Sequence, residues 1–286
     1  MIFMEILVFG LFKGAIYALI AVGFTLIFGV ARVINLGHGT FYMLGAYLTY
    51  VFIAYAGLNP FLSLAISAIV VGFVGVSMDY ILIRPMREMG AYVTVVTLAF
   101  ALLSQYIIFA IFGSRARNIP DFVTGNVVVF GVNVANQRLF VLFLATATII
   151  AFGLFLKNAR FGKAIRAVAQ NPDASQLMGV EPGKVFAITV GIAASMAGLA
   201  GGAISPIWNV EPTMWLFPLI KAFSIVVLGG IGSLPGSIIG AFILGFAETA
   251  TAFLISNYLQ NMVSLIIIVL VLLIKPSGLM GRTLRH

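Results

Sequence analysis

The sequence predicts an all-α fold, a polytopic transmembrane helical bundle, and three observations carry that prediction. Of 286 residues, 62% are hydrophobic and 8% are charged, against about 25% charge in an ordinary soluble domain. Seven stretches hold no charge at all, residues 14–31, 33–78, 89–114, 139–156, 185–210, 222–247 and 249–274. Each reaches the ~18 residues of a candidate spanning helix. The connections between them differ sharply in their content of Lys and Arg, as they do in a chain threaded through a bilayer.

Each pass can be justified in turn. The one at 6–30 has no basic stretch before it and no convincing cleavage site, so it reads as a retained helix, not a signal peptide. The long run behind it must split, and Gly57 to Pro60 supply the turn, because glycine and proline punctuate helices. Passes at 36–56 and 61–83 result, and a fourth at 91–112 leads to the largest connection, Arg115 to Arg138. There "NVVVFGVNVANQ", rich in valine and interrupted by Gly131, reads as a small hairpin. It is either a cap over helix ends or a docking surface for something outside the membrane.

The pass at 139–156 is followed by a polar segment and then by 185–205. In this sixth pass Ala194, Gly198 and Gly202 recur every fourth residue, a small-residue face suited to close helix packing in lipid. "GGIGSLPG" (229–236) separates short passes at 218–228 and 237–256, and the last runs over 262–274. The expectation is about nine hydrophobic passes, some of them short or broken.

Orientation follows from charge. With the amino terminus outside, 11 basic residues fall inside: Arg32, Arg84, Arg87, Lys157, Arg160, Lys163, Arg166, Lys184, Lys275, Arg282 and Arg285. Four fall outside, Arg115, Arg117, Arg138 and Lys221, so the carboxyl terminus is expected on the cytoplasmic side. Trp208 and Trp215 then lie in an outer connection, where interfacial aromatic rings are expected. The net charge of +8 reads as this topology signal, with no basic soluble face for nucleic acid. Zero cysteines exclude disulfides and thiolate metal sites, and no metal site is expected.

Two segments read as broken helices, "NLGHGTFYMLGAY" (35–47) and "GGIGSLPGSIIGAF" (229–242). Gly/Pro-interrupted apolar segments in two halves of a transporter point to its translocation route, because freed backbone must line a cavity or be buried in protein. Aligning Gly45 on Gly240 brings Gly37 onto Gly232, a weak internal similarity. Asn35, Gly37, His38, Gly39, Gly229, Gly230, Gly232 and Ser233 are therefore candidates for the path. Glu248 joins them as a carboxylate within the hydrocarbon. Lys13 is also deep enough to pair with Glu248 or to snorkel to the surface, and Asp79, near the inner boundary, could snorkel too.

The segment 160–184 holds six charged residues in 25 positions. Within it Asn171 is a good N-cap, Pro172 suits the first helical position, and Asp173 complements the helix dipole. Gly179 stands where a left-handed C-cap belongs. Ala174, Leu177 and Met178 share one face, and an amphipathic piece at 163–169 precedes them with Ile165 and Val168 together. A helix of about seven residues, roughly 10 Å long, is unstable alone in water. Its apolar face must press on something, and with Asp173 and no basic residue it suits a protein surface better than lipid.

"RAVAQNPDASQLMGV", "GAIYALIAVGFTLIFGVARVINLGHG" and "VVLGGIGSLPGSIIGA", in that spacing across nearly the whole chain, resemble the permeases of bacterial ABC importers for branched-chain amino acids. The likeness is greatest to the shorter of that family's two permease subunits, the LivH type. Ser175 is one departure, since many relatives carry alanine there. The resemblance implies one permease domain over 1–286 in the bacterial inner membrane, with a periplasmic hairpin near 115–138 and a cytoplasmic coupling loop near 157–184. It implies a second, homologous permease in a heterodimer, two ATPases that use ATP and Mg, and a periplasmic solute-binding protein. It assigns coupling to Arg166, Ala167, Asn171, Pro172, Ala174, Leu177 and Gly179, and leaves this chain with no cofactor of its own.

Consistent with that, the chain lacks the G-x-x-x-x-G-K-[ST] phosphate loop, so energy must come from a partner or an ion gradient. An ion-coupled carrier would need more intramembrane carboxylates or histidines than Glu248 and His38, and has no need of a coupling helix. An intramembrane hydrolase built on Ser233 and His38 lacks a convincing carboxylate partner. A path with few charges fits an apolar amino acid, and equally urea, short amides or small peptides.

Overall fold

The computed structural model describes residues 2–31, 33–87 and 89–281. Arg32, Arg282 and Arg285, three of the residues used in the charge count, lie outside them. The architecture is built around α1 (Ile2–Ala31), a helix apolar on every side and therefore suited to a core position. Its 30 residues span about 45 Å at 1.5 Å each, more than the ~30 Å hydrocarbon core.

Around α1 the chain adds α2 (His38–Ala54), α3 (Pro60–Met78), a π-helical turn (Asp79–Ile83), α4 (Arg84–Met86) and α5 (Gly90–Phe112). A hairpin of β1 (Asn126–Val129) and β2 (Val132–Ala135) leads into α6 (Asn136–Asn158), α7 (Arg160–Gln170) and α8 (Pro172–Leu177). Then come α9 (Pro182–Ile204), α10 (Leu216–Gly229), α11 (Leu234–Leu254) and α12 (Gln260–Ile274). Every expected pass is helical. Six helices are long and apolar enough to cross a bilayer: α1, α3 continued to Met86, α5, α6, α9 and α11. Shorter are α2, α10 and α12, with 17, 14 and 15 residues. The chain is thus a polytopic helical membrane protein.

Glycine decides the closest crossings. A Cβ on Gly45 would strike the backbone of Gly198, and one on Gly201 the carbonyl of Tyr42, so α2 and α9 meet backbone to backbone. The face of Ala194, Gly198 and Gly202 packs on Gly75, Val71 and Leu64 of α3 and on Thr49 of α2, as its small residues led one to expect. On the other side of α1, α11 approaches through Gly14 and Gly245, and Thr25 Oγ1 meets Ser237 Oγ at 2.5 Å.

The two ends of the bundle differ. At one, β1 and β2 pair antiparallel through a turn at Phe130 and Gly131, both with positive φ, the primed geometry that suits a two-residue hairpin. Val132 and Val134 pack on Val8 and cap the start of α1, while Val128 and Phe130 stay exposed. At the other end Arg84 approaches Gly183, and the Arg87 guanidinium lies 3.9 Å from the ring centroid of Phe186, both in the first turns of α9.

Several expectations need correction. Asp79 does not snorkel: it is fully buried and accepts from Arg87 at 2.8 Å, because the π turn carries it into the bundle. Trp215 is no interfacial anchor. It is buried, donates to Gln105 Oε1 at 2.6 Å, and packs its backbone on Gly39. Lys221 lies inside α10, not in an outer connection. The internal similarity does not extend to the backbone either, since Gly37 is right-handed (φ −73°) and Gly232 left-handed (φ +81°).

Candidate functional site

Two places concentrate polar chemistry, one at each end of the bundle. The first is the α7–α8 segment. The chain leaves α6 through an extended Ala159 and turns so tightly that a Cβ on Gly162 would strike the backbone of Phe155. Ile165 and Val168 bury the apolar side of α7, which packs on α1 and α9. That anchors the segment and leaves α8 projecting.

Every capping expectation for α8 is met in its geometry. Asn171 Oδ1 accepts from Ala174 N at 3.0 Å, Pro172 takes the first position, and Gly179 has φ +83°. Gly179 N donates to Gln176 O and Val180 N to Ser175 O, both at 3.0 Å, the paired bonds of a Schellman C-cap. Ser175 is the one buried residue of this helix and donates its hydroxyl to Asn171 O at 2.7 Å. Arg166, Ala167, Asn171, Ala174, Leu177 and Gly179 are exposed, and Pro172 is half-buried. Leu177 is 89% exposed and Met178 84%, so the apolar face finds no cover within the described residues.

The second place is a cavity of about 670 Å³ at the hairpin end, between α1, α10, α11 and α12. Charge is buried there. Lys221 Nζ and Glu248 Oε1 form an ion pair whose side chains are 8% and 1% exposed. Tyr17 donates to Glu248 Oε2 at 2.6 Å, and Asn261 Oδ1 accepts from Lys221 at 3.3 Å. Both carboxylate oxygens are thus held, which is what makes a buried charge tolerable. Lys13 does not pair with Glu248; it is half-buried, and its ammonium donates to Gln260 Oε1 at the start of α12, at 2.6 Å.

The candidate path residues fall in three places. Glu248 lines this cavity. Asn35, Gly37, His38 and Gly39 are buried where α2 begins inside the bundle: His38 Nε2 meets Ile20 O at 3.1 Å, and Asn35 Oδ1 accepts from Gly37 N at 2.9 Å. Gly229, Gly230, Gly232 and Ser233 lie at the far end, packed on Gly29 and on Gly278 to Gly281. Gly29 stands 12 residues along α1 from Tyr17, roughly 18 Å at helical rise, so these glycines do not join Glu248 in one site. Sequence reasoning missed Tyr17, Tyr42, Lys221, Gln260 and Asn261. Lys221 alone carried a signal, a charge three residues into an apolar pass.

Comparisons with known proteins agree with one another. Residues 6–272 match the family described as "Branched-chain amino acid transport system / permease component". The permease LivH of the high-affinity branched-chain amino acid transport system of Escherichia coli K12 is 31% identical, over 96% of this chain and 94% of its own. BraD of the corresponding Pseudomonas aeruginosa system is 32% identical over 98% and 96%. A probable LivH of Methanocaldococcus jannaschii is 26% identical over 92% and 88%. Helices long and apolar enough to cross a membrane, a family match over nearly the whole chain and relatives at this identity agree: the chain belongs to the family of branched-chain amino acid transport permeases.

Proposed function

We propose that this chain is the membrane-spanning permease subunit of an ATP-binding-cassette importer in the bacterial inner membrane, passing branched-chain amino acids received from a periplasmic binding protein. The observation that carries this reading is α8: a short, doubly capped helix whose Leu177 and Met178 stand in solvent. Unburied, such a face is costly, and a cleft in an ATPase would cover it. The coupling element comprises Arg166, Ala167, Asn171, Pro172, Ala174, Leu177 and Gly179.

The chain acts as a single domain with about nine passes, amino terminus periplasmic and carboxyl terminus cytoplasmic. The β1–β2 hairpin faces the periplasm and the segment near 157–184 the cytoplasm. A second, homologous permease completes a heterodimer, two ATPases hydrolyse ATP with Mg, and this chain performs no chemistry itself. Movement of α8 reaches the passes through its neighbours: α7 packs on α1, and α9 follows within a few residues.

The experiment is a mild-detergent pull-down of the tagged chain from native membranes, repeated with 171–179 replaced by a flexible linker. Two ATPases and a second permease should accompany the intact chain, and the ATPases should vanish with the replacement. A chain that emerges alone and still transports after the replacement is a self-sufficient carrier, and the reading fails.

A further inference from the structure

The hairpin-end cavity has a charge imbalance that its own hydrogen bonds do not remove. Its lining includes Lys13, Arg138 and Lys221 against Glu211 and Glu248. Glu248 is neutralised by Lys221, and the Arg138 guanidinium lies over the rings of Phe9 and Phe12, 4.7 and 5.6 Å from their centroids. Lys13 is different. Among the described residues its ammonium has an amide oxygen as partner and no carboxylate, although an ammonium carries three donors. It is half-buried on the core helix and lines the cavity, and a cation among apolar passes calls for a partner.

A second group in the same cavity is incomplete. The Tyr42 side chain is 1% exposed, lines the cavity, and its hydroxyl has no hydrogen-bond partner. A buried hydroxyl left unpaired costs about 1–3 kcal/mol, so Tyr42 and Lys13 both bring donor capacity to the cavity. Other walls are apolar, with Phe9, Met214, Phe217 and Phe253. The volume, about 670 Å³, lies within the range usual for small-molecule sites, and Asn257 and Phe253 are exposed at its margin.

We propose that Lys13 and Tyr42 form a carboxylate-recognising subsite within the permease, so that this chain itself checks the α-carboxylate of the amino acid it passes. The inference rests on the reading of the chain as an amino-acid permease and adds a selectivity step inside the membrane. Lys13 supplies the countercharge, Tyr42 donates a hydrogen bond, and the four apolar side chains take up the hydrocarbon part of the solute. The Lys221–Glu248 pair is fully engaged with Tyr17 and Asn261, and the Arg138 guanidinium is occupied by the Phe9 and Phe12 rings, so Lys13 is the ammonium of the lining without a carboxylate partner among the described residues. Solutes of similar shape without a carboxylate would leave that ammonium without a countercharge and the phenol unpaired, and a site built to make a polar contact rejects the analogue that lacks it.

The test uses the complete transporter in lipid nanodiscs without its binding protein, and measures binding of leucine and of leucinamide by saturation-transfer NMR. Wild type should prefer leucine by about tenfold or more, the ratio one charge-assisted hydrogen bond supplies. K13M should bring that ratio close to one and K13R should restore most of it. Should K13M fail to assemble, Y42F, which deletes a single oxygen, should still lower the preference about threefold. Equal binding of the two solutes by wild type, or an undiminished preference in both K13M and Y42F, overturns the subsite. So does a K13M transporter whose only defect is weaker capture of the binding protein, since Lys13 would then meet a protein carboxylate. ATP-driven leucine uptake by wild-type proteoliposomes with the binding protein is a separate arm: its failure overturns the transport reading, and its success beside an undiminished preference in both variants overturns the subsite alone.

Discussion

The α8 tip and the Lys221–Glu248 cluster break the usual rule of burial in opposite directions. At the tip, apolar Leu177 and Met178 stand in water within the most charged segment of the chain. In the cluster, a lysine and a glutamate are buried between two apolar helices. Each exception is held in place by hydrogen bonds that cost little elsewhere: the Schellman cap and Asn171 at the tip, Tyr17 and Asn261 in the cluster. The difference lies in what completes them. The cluster is complete within this chain, whereas the tip is not. Removing a residue from the cluster should therefore damage the fold, and removing an exposed apolar side chain from the tip should damage only what the protein does with others.

That contrast can be broken in a graded series. The largest loss of stability is expected for Glu248→Leu, which leaves the Lys221 ammonium buried without a countercharge, at about 3–5 kcal/mol. Thermal unfolding in detergent should show it, and adding Lys221→Met should recover most of it, because a buried pair is often replaced by apolar side chains at little cost. A double variant no better than the single one would mean that the pair does more than cancel itself. Next comes Gly201→Val. Its new side chain meets the Tyr42 carbonyl, and overpacking of that kind costs about 1–3 kcal/mol, again read as a lower unfolding temperature.

At the tip the effects on stability shrink while those on transport grow. Gly179 has open space around it and a left-handed backbone, so only conformation opposes a side chain there. Gly179→Val should strain the cap by about 1–3 kcal/mol and uncouple ATP hydrolysis from uptake, whereas Gly179→Asn, which tolerates that conformation, should keep both. Equal loss in the two variants would locate the effect in the added bulk. Smallest in stability is Leu177→Ser with Met178→Ser, within about 0.5 kcal/mol as for other surface changes. Uptake should nevertheless be abolished. Normal uptake would show that the exposed apolar pair has no partner.

How far each region could be read in advance follows from the range of its interactions. The cap of α8 depends on residues within nine positions of one another, so Asn171, Pro172 and Gly179 were legible as a unit, as was the hairpin around Gly131. The small-residue face of α9 was legible because helical period alone decides it. The cluster was not. Tyr17, Lys221, Glu248 and Gln260 come from four helices, with separations of up to 247 residues, and no local pattern indicates which charge meets which. The obvious pairing of Lys13 with Glu248 is superseded by Lys221, which stands in the helix immediately before that of Glu248. The glycine-rich breaks were legible as breaks, but not their places: one starts α2 deep in the bundle, and the other lies at its far end.

The central claim is that α8 meets an ATPase, and the absence of cysteine from the chain makes a direct test clean. Leu177→Cys and, as a control at the opposite end, Tyr258→Cys (94% exposed) would each be introduced alone and treated with a short bifunctional thiol-reactive cross-linker in native membranes. Cross-linking from position 177 to an ATPase subunit, diminished or enhanced when ATP is added and absent from position 258, is the expected result. No cross-link at 177 to any ATPase, or the same ATPase captured from 258, would contradict the account.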